Sequence, residues 1–439
     1  MSEYQHKTID QLKEQAGKSV KVRGWVQAIR KQSKITFIVL RNSAAQFQIV
    51  VPKDAAPFST ALEITDESVI EVVGAVKLAE QAPGGVEVLA EEIKILSLAN
   101  ANLPIPVNSK ADNQADQQNR LDWRWLDLRR PEHRLIFQVW TTLEQAGRKY
   151  WTDNNFIEIH SPKLMSIPSE GAAELFEVEY FDRKAYLAQS PQMYKQMAMA
   201  SGFEKVFEVG PVFRANPSFT SRHDTEFTGY DMEISFIDSH QDVMNEEEKW
   251  IAAMLTSVKE KYGEQIKELY GREVIVPSLP FPQITMKEAK QLLAPFEIET
   301  ERDDDLSPEE ERKLSALMLE KHGHEFVFVT EYPVSARPFY HMRKEDDPSL
   351  TKSFDLLWNG IEITTGAQRE HRYEQLIAQA REKDLSLKPL KFYLDFFKYG
   401  CPPHGGLGLS PSRLLLKILD VNNVREVTYV YRGPKRLTP

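Results

Sequence analysis

The sequence contains one cysteine, Cys401, and no apolar run long enough to span a bilayer. A single thiol excludes an intrachain disulfide framework and any zinc site built from clustered cysteines. The start of the chain shows neither a basic leader followed by an apolar stretch nor a lipidation motif. We therefore expect a cytoplasmic protein, and 439 residues predict two or three domains, each with its own core.

Positive charge is in deficit overall but concentrated near the start of the chain. The formal net charge of −10 argues against a protein that coats nucleic acid by bulk electrostatics. The first fifty residues nevertheless carry nine Lys or Arg against three acids. This excess fits either a local phosphate-binding face or the solvated surface of a small β domain. The acidic run at 299–312 is interpreted as an exposed loop or helix start without chemistry.

Residues 18–98 alternate apolar and polar positions in five short blocks separated by Gly, Pro, Asn and Ser. Five short strands in so compact a span predict a closed barrel of the OB-fold type, whose exposed face binds single-stranded nucleic acid. Phe37 and Gln48 are candidates for that face, although a Phe in a strand more often belongs to the core. We assign the barrel to residues 1–100 and a polar linker or hinge to 101–130.

Residues 131–439 are predicted to form a larger α+β domain, with a central antiparallel sheet flanked by helices. Periodicity favours helices over 131–155, 191–200 and 240–271, and a strand within FIEIHSPKL (156–164) that ends at Pro162. The segment 272–330 is interpreted as an inserted or peripheral α/β element.

Residues 201–236 concentrate the chemistry of the chain. Two strand-like runs flank a polar loop, which predicts a long antiparallel hairpin. The planar guanidinium of Arg214 matches phosphate oxygens, and Arg222 and His223 could close over a polyanion such as ATP while Phe227 stacks on its base. An Arg paired with a carboxylate as mere scaffolding remains the alternative for this stretch alone.

Several motifs in order resemble the class II aminoacyl-tRNA synthetases, specifically the aspartyl-tRNA synthetases of the shorter archaeal and eukaryotic-like type. FIEIHSPKL is similar to the family's first motif, at the dimer interface, VFRANPSFTSRHDTEF to its second and GGLGLSPSRLLL to its third. RLDWRWLDLRRPE, QSPQMYKQM, GIEITTGAQREH and the final KRLTP also match family counterparts. Over nearly the whole chain, the resemblance implies a homodimer that activates L-aspartate with ATP and Mg²⁺ and charges tRNA-Asp, with tRNA-Asn as a further candidate.

The resemblance also implies a role for individual residues. Arg214 would hold the α-phosphate and the amino-acid carboxylate, Arg222 and His223 the distal phosphates, and Arg413 the bent triphosphate, while Phe227 stacks on adenine. Such a reaction depends mainly on positioning and on neutralising phosphate charge. The implied magnesium ligands are Glu362, Thr365 and Asp355. The implied aspartate-binding residues are Ser169, Glu170, Gln192, Lys195, Asp231 and Arg369. The implied anticodon contacts are Phe37, Gln48, Glu87, Gln27 and Pro83.

Some positions depart from the family pattern. Family members usually carry Glu where Asn216 stands, and Gly, Leu and Glu where Ser410, Pro411 and Ser412 stand. Ser410 followed by Pro411 should still begin a helix. The ending VYRGPKRLTP differs from the usual FPRD pattern. We interpret these changes as an active but altered ATP site, with a degenerate site as the alternative.

Three functional hypotheses follow. The first is an aspartate–tRNA ligase. For it, Gln27 and Pro83 predict relaxed discrimination between tRNA-Asp and tRNA-Asn, because the resemblance associates strict discrimination with Trp and Lys at these two positions. The second is a paralogue that makes an adenylate but has lost tRNA, serving amino-acid metabolism or resistance. The third is a non-catalytic tRNA-binding or regulatory protein.

Overall fold

The computed structural model describes residues 6–108, 115–167, 174–217, 220–300 and 302–439. The chain divides into two compact units, Met1–Arg130 and Pro131–Pro439. Within those ranges, no helix combines the length and the apolar character that crossing a membrane requires.

The first unit is a closed five-stranded barrel, in which the strands neighbour one another in the order β1-β2-β3-β5-β4. Alternation along each strand turns every second side chain inward, so that Val22, Ile38 and Val72 form a core with almost no exposure. The predicted OB-type barrel is confirmed. Its strands are β1 (Ser19–Lys31), β2 (Ile35–Arg41), β3 (Gln46–Pro52), β4 (Val69–Leu78) and β5 (Val86–Ser97).

Short helices accompany the barrel. Thr8 caps the first of them with a reciprocal capping box. A small apolar cluster of Ile105, Val107 and Leu126 lies in the segment that follows the barrel. The helices are α1 (Ile9–Lys13), α2 (Phe58–Glu63), α3 (Gln117–Asp122) and α4 (Arg124–Asp127).

The second unit is built on an eight-stranded sheet with the order β12-β13-β14-β15-β16-β11-β10-β6, beside a three-stranded sheet with the order β7-β9-β8. Its strands are β6 (Ile157–Glu158), β7 (Leu164–Met165), β8 (Glu177–Tyr180), β9 (Arg183–Leu187), β10 (Lys205–Phe213), β11 (Glu226–Ser235), β12 (Gln283–Thr285), β13 (Phe326–Thr330), β14 (Ser353–Trp358), β15 (Ile361–Arg369) and β16 (His404–Leu409). Its helices are α5 (Pro131–Asp153), α6 (Gln192–Ala200), α7 (His240–Tyr270), α8 (Met286–Leu293), α9 (Pro308–His322), α10 (Tyr373–Glu382), α11 (Leu387–Asp395), α12 (Pro411–Ile418) and α13 (Val424–Val427).

The large sheet confirms the predicted antiparallel centre, but its two outermost pairs are parallel. The hairpin predicted over 201–236 is present as β10 and β11, paired from Lys205 opposite Ile234 to Phe213 opposite Glu226. The segment 272–330 contributes β12 and β13 to one edge of this sheet, together with α8 and α9.

The strand predicted over 156–164 is wrong in length, since only Ile157–Glu158 is a strand. Ile159 still donates its N–H to the carbonyl of Phe207. Beyond it, the Ser161 N–H bonds the side chain of Glu208 instead of a neighbouring strand, and Pro162 has no N–H to offer. The ladder therefore stops after two residues.

Helices α5 and α7 cover one face of the large sheet. Trp151 of α5 stacks on Trp250 of α7 with ring centroids 4.3 Å apart, and on Phe207 of β10 at 4.7 Å. Along β11, Tyr230 and Met232 join this core. The alternate side chains of β11 must therefore point to the opposite face, where the cavity lies.

Candidate active site

The opposite face of the sheet carries a cavity of about 480 Å³. Its walls come from the β10–β11 hairpin, from β15 and β16, and from the start of α12. Most of the predicted site residues of this unit meet here: Gln192, Arg214, Arg222, His223, Phe227, Asp231, Glu362, Thr365, Arg369 and Arg413. Ser169 and Glu170 lie outside the described residues.

Glycines of β16 leave space at the base of this cavity for two carboxylate side chains of β11. Gly408 lies opposite Asp231 of β11 and Thr365 of β15, and Gly406 lies opposite Glu233. A Cβ on Gly406 would stand 2.2 Å from the Glu233 carboxylate, and one on Gly408 would stand 3.2 Å from that of Asp231. Only residues without side chains leave room for buried acids beside this strand.

Lys195 of α6 lies beneath the base of the cavity and is fully buried. Its ammonium donates to the Leu407 carbonyl at 2.9 Å, and lies 3.0 Å from Asp231 and 3.4 Å from Glu233. The charge of this lysine is therefore held in place by the protein itself. Burial raises the pKa of the Asp231 carboxyl, against the opposing pull of Lys195.

Glu233 is a site residue that the sequence analysis missed. It is fully buried and links the two cations, because it also accepts from Arg369 at 3.0 Å. Burial alone would raise its pKa, but Arg369 and Lys195 together lower it, so that the carboxylate stays ionised. The available signal was its position two residues after Asp231, on the same face of one strand.

Arg369, at the end of β15, is oriented by three contacts. Besides Glu233, it donates to the Gly406 carbonyl at 3.0 Å and to Nε2 of His341 at 2.9 Å. Burial, followed by the charge of Arg369, lowers the pKa of His341, so this ring is neutral and accepts the bond. His341 lies in the same cavity and was also missed.

The other end of the cavity gathers Arg214, Phe227, Glu362 and Arg413. Arg214 is exposed, and its guanidinium lies 5.6 Å from the Phe227 ring centroid. Arg413 donates to the Glu362 carbonyl at 2.7 Å and lies 3.4 Å from its carboxylate. No ion pair of Arg214 occurs within the described ranges, so its charge is available to an anionic ligand.

Arg222 forms an ion pair that the sequence did not predict. It donates to Glu311 at 2.6 Å and to the carbonyl of Gly360 at 3.1 Å. The acidic run at 299–312 was expected to be exposed and without chemistry, yet Glu311 is buried and contacts this cavity-lining arginine. Burial, followed by the nearby Glu362, raises the pKa of Glu311 to about 7. A separation of 89 residues hid this pair from the sequence.

The three residues predicted as magnesium ligands, Glu362, Thr365 and Asp355, lie on the neighbouring strands β14 and β15. Glu362 accepts from Thr365 at 3.0 Å, and Asp355 lies opposite Thr365 in the neighbouring strand. Asp355 accepts from Arg337 at 2.7 Å through one oxygen, while its other oxygen has no hydrogen-bond partner within the part of the chain that the structure describes. Burial and the Glu362 charge raise the pKa of Asp355 to about 6 against the pull of Arg337. The described residues contain no cluster of three or more His, Cys, Asp or Glu able to hold a metal alone.

The C-terminal segment braces the loop of the hairpin. Thr225 donates its N–H to the carbonyl of Arg432, and the hydroxyl of Tyr431 donates to the carbonyl of His223 at 3.4 Å. Tyr431 is buried, and a Cβ on Gly433 would stand 2.3 Å from its hydroxyl. The unusual Tyr and Gly of this ending therefore depend on each other sterically.

The altered third motif keeps its helix. Ser410 takes the N-cap position of α12 and Pro411 the first turn, as predicted, although the Ser410 side chain forms no capping hydrogen bond. Both Ser410 and Asn216 line the cavity. The changes therefore alter the wall of the cavity and leave its framework intact.

Asp224, between His223 and Thr225, was missed altogether. It is 7% exposed and lines the cavity, and one of its carboxylate oxygens has no hydrogen-bond partner among the described residues. A carboxyl group in the middle of a loop of Arg and His gave no pattern by which the sequence could single it out.

In the first unit, three predicted residues share one outward face of the barrel. Phe37 on β2 is diagonal to Gln48 on β3, which lies opposite Glu87 on β5 and donates to it at 3.4 Å. Arg30 lies 4.9 Å from the Phe37 ring. Gln27 lies at the bulge of β1 and donates to Asn108 at 3.3 Å, while Pro83 opens a 3₁₀ turn between β4 and β5.

Comparison with known proteins places these features in a family. Residues 116–431 match the family model described as tRNA synthetases class II (D, K and N), and residues 20–96 match the OB-fold nucleic acid binding domain. The chain is 44% identical to the aspartate–tRNA(Asp/Asn) ligase of Methanopyrus kandleri, covering 98% of this chain and 99% of that protein. It is 40% identical to the aspartate–tRNA(Asp) ligase of Pyrococcus abyssi, covering 99% of each.

Two solved structures share the architecture over almost the entire chain. The asparaginyl-tRNA synthetase from Pyrococcus horikoshii, complexed with asparaginyl-adenylate, superposes with a TM-score of 0.90 at 33% identity, covering 99% of this chain and 100% of that one. The aspartyl-tRNA synthetase from Entamoeba histolytica superposes with a TM-score of 0.88 at 32% identity, covering 100% of this chain and 93% of that one.

Proposed function

The chain belongs to the class II tRNA synthetases of the D, K and N family, and from this membership we propose that it activates L-aspartate with ATP and transfers the aspartyl group to tRNA-Asp. The observation that carries the choice of amino acid is the pair of buried cations, Lys195 and Arg369, beside Asp231. Family membership alone does not decide whether the amino-acid substrate is aspartate, asparagine or lysine.

The cation pair favours a carboxylate over an amide. Lys195 and Arg369 both pair with Glu233, and Lys195 also lies 3.0 Å from Asp231. When Asp231 turns to hold the α-amino group of the substrate, the side chain of aspartate supplies the negative charge that then balances the two cations. The neutral amide of asparagine would leave that positive charge uncompensated, which is costly away from water. Gln192 lines the same region. Ser169 and Glu170, which lie outside the described residues, are proposed to bind aspartate on the family resemblance alone.

ATP occupies the other end of the cavity in this proposal. Phe227 stacks on adenine, Arg413 lies across the bent triphosphate, and Arg222 and His223 face the distal phosphates. Arg214 bridges the α-phosphate and the amino-acid carboxylate, which attacks the α-phosphorus and expels pyrophosphate. Arg214 then stabilises the charge that builds up on the equatorial phosphate oxygens in the transition state.

Mg²⁺ fits the side chains available at this end. Glu362 and Asp355, with the hydroxyl of Thr365, offer the hard oxygen ligands that this ion prefers. Because they are so few, the phosphate oxygens and water must complete the coordination shell, as is usual for magnesium at a nucleotide. When bound, the ion neutralises phosphate charge.

The barrel supplies the contact with tRNA in this proposal. Phe37 presents a ring for stacking on an anticodon base, and Gln48 and Glu87 present polar groups on the same face. Relatives of similar identity include ligases for tRNA(Asp/Asn) and for tRNA(Asp) alone. We favour an enzyme that accepts both tRNAs, because Gln27 and Pro83 stand at the two positions where the resemblance associates strict discrimination with Trp and Lys.

Pyrophosphate exchange followed by tRNA charging tests the proposal. We expect ATP exchange that depends on L-aspartate and not on asparagine or lysine, and charging of transcripts of both tRNA-Asp and tRNA-Asn. Exchange without charging of any tRNA would favour an adenylate-forming paralogue, and no exchange at all would favour a non-catalytic binder. Charging of tRNA-Asp alone would refute the relaxed specificity.

We propose further that the enzyme is a cytoplasmic homodimer. Strand β6 lies at the edge of the large sheet, and its Ile157 is 50% exposed. An apolar side chain on an open edge is suited to burial against a second copy. Analytical ultracentrifugation should give twice the chain mass, and Ile157→Glu should shift the equilibrium towards monomer.

A further inference from the structure

Glu311 connects the segment 272–330, predicted as an inserted or peripheral element, to the candidate active site. It lies in the first turn of α9 and is 9% exposed. Its carboxylate accepts from the guanidinium of Arg222 at 2.6 Å, and Arg222 lines the cavity whereas Glu311 does not. This carboxylate therefore contacts a ligand in the cavity through Arg222 and not directly.

The turn between β14 and β15 holds the same guanidinium on a second side. The carbonyl of Gly360 in this turn accepts from Arg222 at 3.1 Å. Gly360 has a φ of +80°, and a Cβ on it would stand 2.7 Å from the Cα atom of Arg312 in α9. Helix α9 and the turn are therefore in close backbone contact, and each supplies one group that binds Arg222.

The first turn of α9 is anchored by contacts of its own. Ser307 forms a reciprocal capping box with Glu310, and Glu310 also accepts from Lys290 of α8 at 2.7 Å. On the other side, the carbonyl of Ser221 in the hairpin loop accepts from the N–H of Val424 at the start of α13. The main chain on both sides is therefore held independently of the ion pair, whose effect falls on the direction of the arginine side chain.

Arg222 needs such a restraint because it belongs to a cluster of cations. Burial, followed by the charge of Arg222, lowers the pKa of the neighbouring Lys417. Arg413, which also lines the cavity, adds a third positive charge. Mutual repulsion and side-chain entropy both favour an arginine that extends into solvent. A carboxylate bonded to its guanidinium offsets the repulsion and keeps the side chain ordered before a ligand arrives.

We propose that Glu311 is a positioning residue, which holds Arg222 for the distal phosphates of ATP and makes α9 part of the ATP site. This inference rests on the proposed function for the identity of the ligand. A guanidinium has five N–H donors, and within the described ranges the contacts with Glu311 and Gly360 use two of them. The others remain for phosphate oxygens. An arginine that is already ordered loses less conformational entropy when the phosphates bind.

Calorimetric titration of the full chain with ATP and with AMP, in Mg²⁺ at pH 8, tests this positioning. That pH lies above the pKa of about 7 to which burial raises the Glu311 carboxyl, so the carboxylate is ionised. Glu311→Ala should weaken the binding of ATP about tenfold, or about 1.4 kcal/mol, and should leave the binding of AMP, which lacks the distal phosphates, unchanged. Glu311→Gln keeps an oxygen acceptor at the same place and should weaken the binding of ATP by a smaller factor.

A double-mutant cycle tests the route through Arg222. In the Arg222→Ala background, Glu311→Ala should cause no further loss of ATP affinity, because the side chain that it positions is gone. Glu309→Gln is the matched control, since Glu309 lies in the same turn of α9 and is exposed. This control should leave the affinities for both nucleotides unchanged.

Three results overturn the inference. Equal ATP affinities of the wild type and a folded Glu311→Ala variant would show that Arg222 needs no positioning. Tighter binding by that variant would show that the carboxylate withdraws Arg222 from the phosphates. An undiminished loss in the Arg222→Ala background would show that Glu311 acts by another route. If Glu311→Ala does not fold, Glu311→Gln takes its place, and an ATP affinity equal to that of the wild type is again the refuting result.

The proposed function fails by a different measurement. A wild type that binds ATP but shows no aspartate-dependent pyrophosphate exchange would refute aspartate activation, while the titrations would still decide the role of Glu311. A wild type that binds no ATP would overturn both.

Discussion

Replacing Lys195 by Leu should affect both stability and substrate binding, for reasons visible in the structure. The ammonium is fully buried and lies within 3.4 Å of two carboxylates. Glu233 would keep Arg369, but Asp231 would lose the closest cation described beside it. Leaving one member of a buried ion pair uncompensated costs about 3–5 kcal/mol of unfolding free energy. The loss should shrink at low pH, because Asp231 can then take up a proton and become neutral.

Binding of aspartate should weaken in the same variant. Loss of one charge-assisted contact raises the KM for aspartate by about tenfold to a hundredfold, while the KM for ATP stays near its wild-type value. Urea unfolding at pH 5 and pH 8 and pyrophosphate exchange measure the two effects. A loss of stability below about 1 kcal/mol, or an unchanged KM for aspartate, would contradict the placement of Lys195.

Lys163→Leu is the matched control. Lys163 also pairs with a nearly buried acid, Glu208, but lies outside the cavity and is itself 22% exposed. We expect a smaller loss of stability and an unchanged KM for aspartate. If Lys163→Leu raised the KM for aspartate as much as Lys195→Leu does, the effect of Lys195→Leu would reflect a general disturbance of the sheet and not a loss of contact with the substrate.

Three further variants test other parts of the structure. Arg214→Ala should lower the rate of aspartate activation by on the order of a hundredfold or more, measured by pyrophosphate exchange, and an unchanged rate would refute its contact with the transition state. Phe37→Ala should raise the KM for tRNA about tenfold or more while leaving exchange intact, and altered exchange would argue against a role in tRNA binding alone. Burial raises the pKa of Glu247 to about 8, so its stabilisation is present at low pH and lost as pH rises through 8. Urea unfolding at pH 5 and pH 9 should show the wild type losing on the order of 3–5 kcal/mol more than Glu247→Gln, and parallel curves would contradict this burial.

The local patterns of the chain were sufficient for much of the architecture. Alternation in residues 18–98 predicted the barrel, and the two runs around Arg214 predicted the β10–β11 hairpin. The strand over 156–164 failed because its pairing depends on β10, a distant neighbour, and because Ser161 bonds a side chain there. Short-range periodicity carries no information about where a ladder stops.

The sequence by itself determined which residues we propose to supply the chemistry, since Arg214, Phe227, Glu362 and Arg413 occur in recognisable local motifs. Only the tertiary structure decided how they are held. Glu233 joins Lys195 to Arg369 across three elements, Glu311 engages Arg222 from 89 residues away, and one carboxylate oxygen of Asp224 has no hydrogen-bond partner among the described residues. These relations depend on strand register and on burial, which convert ordinary charged residues into a fixed electrostatic arrangement, and neither can be inferred from spacing along the chain.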